Sequence, residues 1–109
     1  AGTNATGSSG VALGYAALYN GSGSQNIAIG QASLYNNTTG GCNIAIGLHT
    51  GDNITSGAGN VIIGNRINPP SATADRQLVI AGNDETTTTT WVSGTRENVK
   101  YLCRRRRSW

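Results

Sequence analysis

The sequence predicts an all-β protein built as a narrow parallel solenoid. Three observations lead to this fold. A short aliphatic block closed by Gly recurs every 16 or 17 residues, turn-forming residues fill the intervals, and apolar content is low. Only 37% of the 109 residues are hydrophobic, and Phe and Met are absent, whereas an average globular chain is roughly 45–50% apolar. A compact mixed core is therefore not expected, and the stacking of repeated units must bury the backbone instead.

The aliphatic block occurs four times in similar form and a fifth time more loosely. The copies are Val11–Gly14, Ile27–Gly30, Ile44–Gly47, Val61–Gly64 and Leu78–Gly82, which begin 16, 17, 17 and 17 residues apart. Each block is short and rich in β-branched residues, which favours a strand, and no window has the apolar spacing of a helix. Gly, Asn, Ser and Thr between the blocks favour turns. One repeat is therefore predicted to form one coil, with successive coils about 4.8 Å apart.

Stacked coils predict ladders of like residues along the solenoid. An aliphatic ladder, buried within the roll, is expected from Ile27, Ile29, Ile44, Ile46, Val61 and Ile63, and an amide ladder from Asn26, Asn43 and Asn60. Successive residues of a strand point to opposite faces. The face opposite the aliphatic ladder is therefore expected to hold Ala28, Ala45 and Ile62, and their mostly small side chains suggest a face where another chain approaches closely.

The stretch from Asn26 to Gly47 also carries a family resemblance. It runs Asn-Ile-Ala-Ile-Gly, then Ala-Ser-Leu-Tyr-Asn-Asn-Thr-Thr-Gly, then Asn-Ile-Ala-Ile-Gly. This pattern resembles the head repeats of YadA-like trimeric autotransporter adhesins and is closer still to repeats of bacteriophage tail fibres. The resemblance covers about residues 3–83 and implies a left-handed parallel β-roll, three copies of which pack around a threefold axis.

The predicted organisation is a roll of about five coils over residues 1–83, followed by a connector, exit strand and basic tail over residues 84–109. A homotrimer is also expected on physical grounds. A 17-residue coil buries only two or three large aliphatic side chains, each worth about 1.5–3 kcal/mol. Ordering each residue costs about 1–2 kcal/mol in backbone entropy, so a lone roll of this size would be marginally stable.

Charge is concentrated at the end of the sequence. The first charged residue is Asp52, and four of the eight basic residues are Arg104, Arg105, Arg106 and Arg107. The rest of the chain is nearly neutral and poorly protected against self-association. The arginine run is interpreted as a solvated end or an anchor to an acidic neighbour. Nucleic acid is not an expected partner, because no evenly spaced aromatic residues accompany the run.

Few residues are suited to catalysis or metal binding. The one histidine, His49, is expected in an exposed turn, with a metal or anion site on a threefold axis as the alternative. The acidic residues match no calcium-loop spacing, and Cys42 and Cys103 are expected as free thiols, with one disulfide as the alternative. No catalytic residue, cofactor or metal ligand is therefore predicted, and the protein is not expected to be an enzyme.

These observations predict a structural role at the virion surface or outside a cell. The first hypothesis is a non-enzymatic trimeric module of a phage tail fibre or surface projection, acting in host attachment or as a rigid spacer. Its expected partners are two further copies, other virion proteins, and a host-surface glycan or protein. The alternatives are a bacterial adhesin head or extracellular filament subunit, and a capsid-decorating protein. Membrane insertion is not expected, because no apolar run approaches the ~18 residues of a span.

Overall fold

The computed structural model describes residues 7–101, with side chains through residue 97, as one seven-stranded sheet without helices. Its strands, in chain order, are β1 (Val11–Leu13), β2 (Ile27–Ile29), β3 (Ile44–Ile46), β4 (Val61–Ile63), β5 (Leu78–Asn83), β6 (Thr88–Thr95) and β7 (Asn98–Tyr101). Neighbours in the sheet are neighbours in sequence. Among these residues no helix is long and apolar enough to span a membrane.

Strands β1 to β5 form the parallel part of the sheet, a solenoid of about four turns. Equivalent residues pair across each junction, as in Ile27 with Ile44 and Ile44 with Val61. Backbone bonds join the coils: Ile27 N donates to Asn43 O at 2.8 Å and Ile44 N to Asn60 O at 2.8 Å. The all-β fold and the repeat of about 17 residues are therefore as the sequence predicts.

A glycine directly follows each of the first four strands, because neighbouring coils lie very close there. Gly47 has a φ of 134°, a conformation that side-chain-bearing residues rarely adopt. A Cβ atom at this position would lie 2.7 Å from the carbonyl carbon of Gly64 in the next coil. Both backbone conformation and space therefore require glycine at this corner.

The interior of the solenoid is lined by the central residue of each strand, which corrects the predicted orientation of the two sheet faces. Ala28, Ala45 and Ile62 are 0% exposed within the single chain. They belong to one core cluster with residues of the opposite wall such as Leu34 and Ile54. The assignment of Ala28, Ala45 and Ile62 to an exposed trimer face is therefore wrong. In the second and third coils the small central residues, Ala28 and Ala45, leave room for the large side chains of that wall.

The third coil shows how the interior keeps its volume when the repeat changes. Gly51 occupies the position that Leu18 and Leu34 hold in the first two coils. A Cβ atom on Gly51 would lie 3.2 Å from Cδ2 of Leu34 and 3.4 Å from Cδ1 of Ile54. Ile54 is fully buried and comes from a later part of the same coil. Its side chain therefore occupies space that the missing leucine leaves.

The last three strands form an antiparallel extension of the solenoid. Strand β5 ends at Asn83, and β6 returns along it, so that Leu78 pairs with Gly94 and Asn83 with Thr88. Strand β7 follows antiparallel to β6, with Tyr101 paired to Val92. The register between β5 and β6 shifts after Ile80, and the shift leaves Trp91 as an extra residue in β6.

Candidate functional site

The outer face of the parallel sheet carries two aliphatic columns. Residues flanking each buried central residue point outward and pair in register with their equivalents. The first column is Val11, Ile27, Ile44, Val61 and Leu78, and the second is Leu13, Ile29, Ile46, Ile63 and Ile80. Leu13 is 62% exposed and Ile46 is 37% exposed, while most other members are half-buried. We call these ten residues the outer aliphatic face.

The structure therefore places the predicted aliphatic ladder in register but outside the roll. Ile27, Ile29, Ile44, Ile46, Val61 and Ile63 stack along the sheet, with none of them in the buried core cluster. Their expected position inside the roll is wrong. Strand alternation forces this result, because the buried alanines stand between them and must point the opposite way.

The amide ladder runs inside the roll, along the edge of the buried column. Asn26, Asn43 and Asn60 are fully buried. In each case the side-chain Oδ1 accepts a bond from the backbone N–H of the next member, as from Asn43 N to Asn26 at 2.9 Å and from Asn60 N to Asn43 at 2.9 Å. Gln77 continues the ladder, with its backbone N–H donating to Asn60 Oδ1 at 2.8 Å.

The side-chain N–H of each amide donates to a backbone carbonyl in a turn of the following coil. Asn26 Nδ2 donates to Gly40 O at 2.9 Å, and Asn43 Nδ2 donates to Gly57 O at 2.9 Å. Each amide thus ties a strand start to the turn ahead of the next strand. The first coil has Gly10 at this position, so the amide ladder begins at Asn26 and does not include the junction between the first and second coils.

Two tyrosines stack on neighbouring coils. The rings of Tyr19 and Tyr35 have centroids 5.1 Å apart and planes only 8° from parallel. This is the arrangement expected of residues one coil apart, and both rings remain half-buried. Offset stacking of this kind stabilises a pair by about 0.5–1.5 kcal/mol.

The histidine and the described cysteine both lie in turns of the third coil region. His49 Nδ1 lies 3.1 Å from Asp52 Oδ2, with both side chains partly exposed. Among residues 7–97, no group of three or more His, Cys, Asp and Glu residues is arranged to hold a metal ion. Cys42 is exposed and free, and its thiol donates to Gln25 Oε1 at 3.3 Å. Cys103 and the predicted anchor, Arg104–Arg107, lie outside the described residues.

A cleft that no sequence pattern predicted lies beside the turn between β5 and β6. This cleft is open to solvent, and its lining residues are Gly82, Asn83, Asp84, Thr87, Thr89 and Trp91. The Trp91 side chain is 50% exposed, and a Cβ on Gly82 would lie 2.5 Å from its Cη2. The missing side chain of Gly82 therefore leaves room for the indole against the sheet. A lone Gly and Trp nine residues apart reveal nothing until the strand pairing is known.

The acidic turn beside this cleft is held by its own hydrogen bonds. Asp84 Oδ1 accepts bonds from Thr87 N at 2.8 Å, Thr86 N at 3.0 Å and Thr86 Oγ1 at 2.9 Å. These bonds, from Thr87 first and then Thr86, lower the pKa of Asp84 below its ordinary value. The carboxylate is therefore ionised at neutral pH.

Comparison of the chain with protein-family models, with curated protein sequences and with solved structures finds no significant match to any of them. The geometry of the described residues is consequently the basis for assigning a role.

Proposed function

We propose that this chain is a non-enzymatic module of an elongated surface projection, a phage tail fibre above all, in which three left-handed rolls of about five coils pack side by side. The module acts as a rigid spacer or in attachment to a host surface, at the virion surface. Its partners are two further copies, other virion proteins, and a glycan or protein of the host. Support comes from the solenoid fold and, above all, from the outer aliphatic face.

The outer aliphatic face is suited to contact with another copy. It lies on a continuous five-stranded sheet and contains no charged residue in any of its strands. Four steps of about 4.8 Å give it a length of roughly 19 Å. Monomeric proteins rarely leave a contiguous apolar surface of this kind in water. Packing the faces of identical chains together would bury it, and the family resemblance adds the threefold arrangement.

The assembly is tested by sedimentation equilibrium at micromolar concentration. The wild-type protein is expected at about three times its 11.2 kDa mass. Ile46→Asp places a charge at the centre of the outer aliphatic face and is expected to shift the protein towards monomer. Thr39→Asp adds the same charge on an exposed turn and should leave the trimer intact.

A wild-type mass of one or two chains would contradict the trimer. Equal behaviour of the two variants would instead show that the outer aliphatic face is not the contact surface. Circular dichroism of each variant separates loss of assembly from loss of the fold.

The cellular role requires a separate experiment, because an adhesin head or a capsid-decorating protein would share the fold. Labelled antibodies viewed by electron microscopy should mark the fibres of intact phage particles. Label on capsid shells would favour the decorating protein, and label on bacterial surfaces the adhesin or filament. Removal of residues 104–109 should leave the trimer folded and prevent its incorporation into particles, if Arg104–Arg107 act as the anchor.

A further inference from the structure

The cleft beside the turn between β5 and β6 is built by three unusual local features. Trp91 is the extra residue of a β-bulge, and bulges commonly redirect a side chain. Gly82 leaves room for the indole, and the exposed half of the ring borders the cavity. The cleft is thus bordered by a partly exposed indole ring that packs against the sheet at Gly82.

The remaining lining of the cleft is polar and negatively charged. Asp84 lines it together with the hydroxyl-bearing Thr87 and Thr89. The hydrogen bonds given above all fall on Asp84 Oδ1, so Oδ2 keeps its acceptor capacity. Glu85, the next residue, is exposed and adds a second negative charge. No Lys or Arg side chain lines the cavity, so within this cleft the acidic charge has no basic counterpart.

We propose that this cleft is a binding site for a guanidinium group, the head group of arginine. A guanidinium plane stacks on an indole face by cation–π attraction. Its N–H donors form charge-assisted bonds with a carboxylate and further bonds with hydroxyl oxygens. The cleft is open to solvent, so the end of an arginine side chain from another segment or another molecule can reach it. This site is independent of the outer aliphatic face and of the proposed assembly.

Two sources could supply the guanidinium: this chain's own arginines, in the same or another copy, or an arginine of a different protein. Strand β7 ends at Tyr101, which pairs with Val92 beside Trp91. Arg104 follows three residues later and begins a run of four arginines, outside the described residues. Both sources present the same guanidinium group, and a comparison of proteins with and without the four arginines distinguishes them.

The binding test uses fluorescence of Trp91. Trp109→Phe makes Trp91 the sole tryptophan. Replacing Arg104–Arg107 with Gln removes the arginines of this chain that could compete with the added peptide. N-acetyl-tetra-arginine amide should then change Trp91 fluorescence saturably, with an affinity that falls as salt rises. Asp84→Asn should weaken binding at least about tenfold, since a charge-assisted bond becomes a neutral one. The tetraglutamine peptide is the matched neutral control.

Three results would overturn the site: no saturable change at millimolar peptide, equal binding of the glutamine peptide, or unchanged affinity in Asp84→Asn. Because Asp84→Asn also removes acceptor charge from the turn, circular dichroism must show that the variant is folded. Thr89→Val provides a second variant on a neighbouring strand position, expected to weaken the peptide without disturbing the turn. Unchanged affinity in both variants would likewise exclude the cleft.

The source is identified by comparing proteins with and without the four arginines, both carrying Trp109→Phe. If the chain's own arginines occupy the cleft, acrylamide should quench Trp91 less when they are present, and added peptide should bind more weakly. If a different protein supplies the arginine, quenching and peptide affinity should be the same in both. Either result supports a guanidinium site, and the difference between them assigns its source.

Discussion

At the scale of single residues, the amide ladder shows how a polar side chain can stabilise a narrow interior. Asn43 is fully buried, and both ends of its amide bond the neighbouring coil, at Gly57 O and Asn60 N. The sequence indicated this ladder through the regular position of Asn before each block. Its location inside the roll was not predicted, because Asn43 has the same strand parity as Ala45, which was expected on the outer face.

Asn43→Ala should lower the free energy of unfolding by about 3 kcal/mol, because it leaves a buried N–H and a buried carbonyl without their partner. Asn36→Ala is the matched control. Asn36 is exposed and makes a single bond, from Nδ2 to Asp52 O at 2.8 Å, so its loss should cost about 1 kcal/mol or less. Urea denaturation of both variants measures the difference, and equal losses would contradict the role of the ladder.

Asp84 should make stability depend on pH in the acid range. Its folded-state pKa lies below the unfolded value because Thr87 and Thr86 donate bonds to the carboxylate. Its stabilising contribution is therefore complete above about pH 4 and disappears as pH falls through the lower folded pKa. The melting temperature of wild type should exceed that of Asp84→Asn at pH 7, and the gap should narrow as the pH falls below about 4. A gap that does not change with pH would contradict this assignment.

Cys42 occupies a left-handed corner, with a φ of 60°. Gly59 holds the equivalent place one coil later, with a φ of 71°. Cys42→Val should therefore destabilise the protein by about 1–2 kcal/mol, since a β-branched residue resists this conformation. Cys42→Gly should stay within about 0.5 kcal/mol, because relief of strain offsets the added chain entropy. Thermal melts of the two variants check the contrast, and similar melting temperatures would argue against it.

At the scale of elements, the positions of β1 to β5 were predicted correctly from the sequence. The face of these strands that points into the roll was predicted wrongly. The aliphatic blocks, their period and their parallel stacking follow from β propensity and turn residues. The inward face could not be chosen from hydrophobicity, because Ile29 is more apolar than Ala28 and yet points outward. In the second and third coils, interior space fits the observed orientation: Ala28 and Ala45 leave room for the large side chains of Leu34 and Ile54. The role of Ile54 depends on the turn path and is not visible in the repeat.

Packing of the third coil gives a direct test of the corrected orientation. Ala45→Leu should destabilise the fold by about 1–3 kcal/mol through overpacking, because Ala45 is fully buried in the core cluster. Ile46→Leu keeps the volume of an outward residue and should cost well under that amount. Chemical denaturation measures the free energy of unfolding of both variants. An unchanged value for Ala45→Leu would mean that the buried column is misassigned.

At the scale of the whole molecule, the chain measures 54 × 30 × 19 Å and combines two kinds of sheet. The parallel part is repetitive and its strands carry no charged residue, whereas the antiparallel part carries the acidic turn and Trp91. The fold of the first part was predictable because each coil repeats the same local signals. The cleft of the second part was not, because it depends on a register shift between β5 and β6 that leaves no local pattern.

The absence of an amide at Gly10 has a mechanical consequence for any spacer built from this solenoid. The hydrogen bonds between coils run along the stacking axis, so a pull along that axis loads every junction in series. A series of links opens at its weakest member, and the first junction lacks the side-chain bonds that Asn43, Asn60 and Gln77 receive at the others. Under tension the three junctions joined by the amide ladder should therefore hold as one block. The first junction, which is held by the Tyr19–Tyr35 stack and the bond from Asn20 Nδ2 to Tyr35 O, should open first.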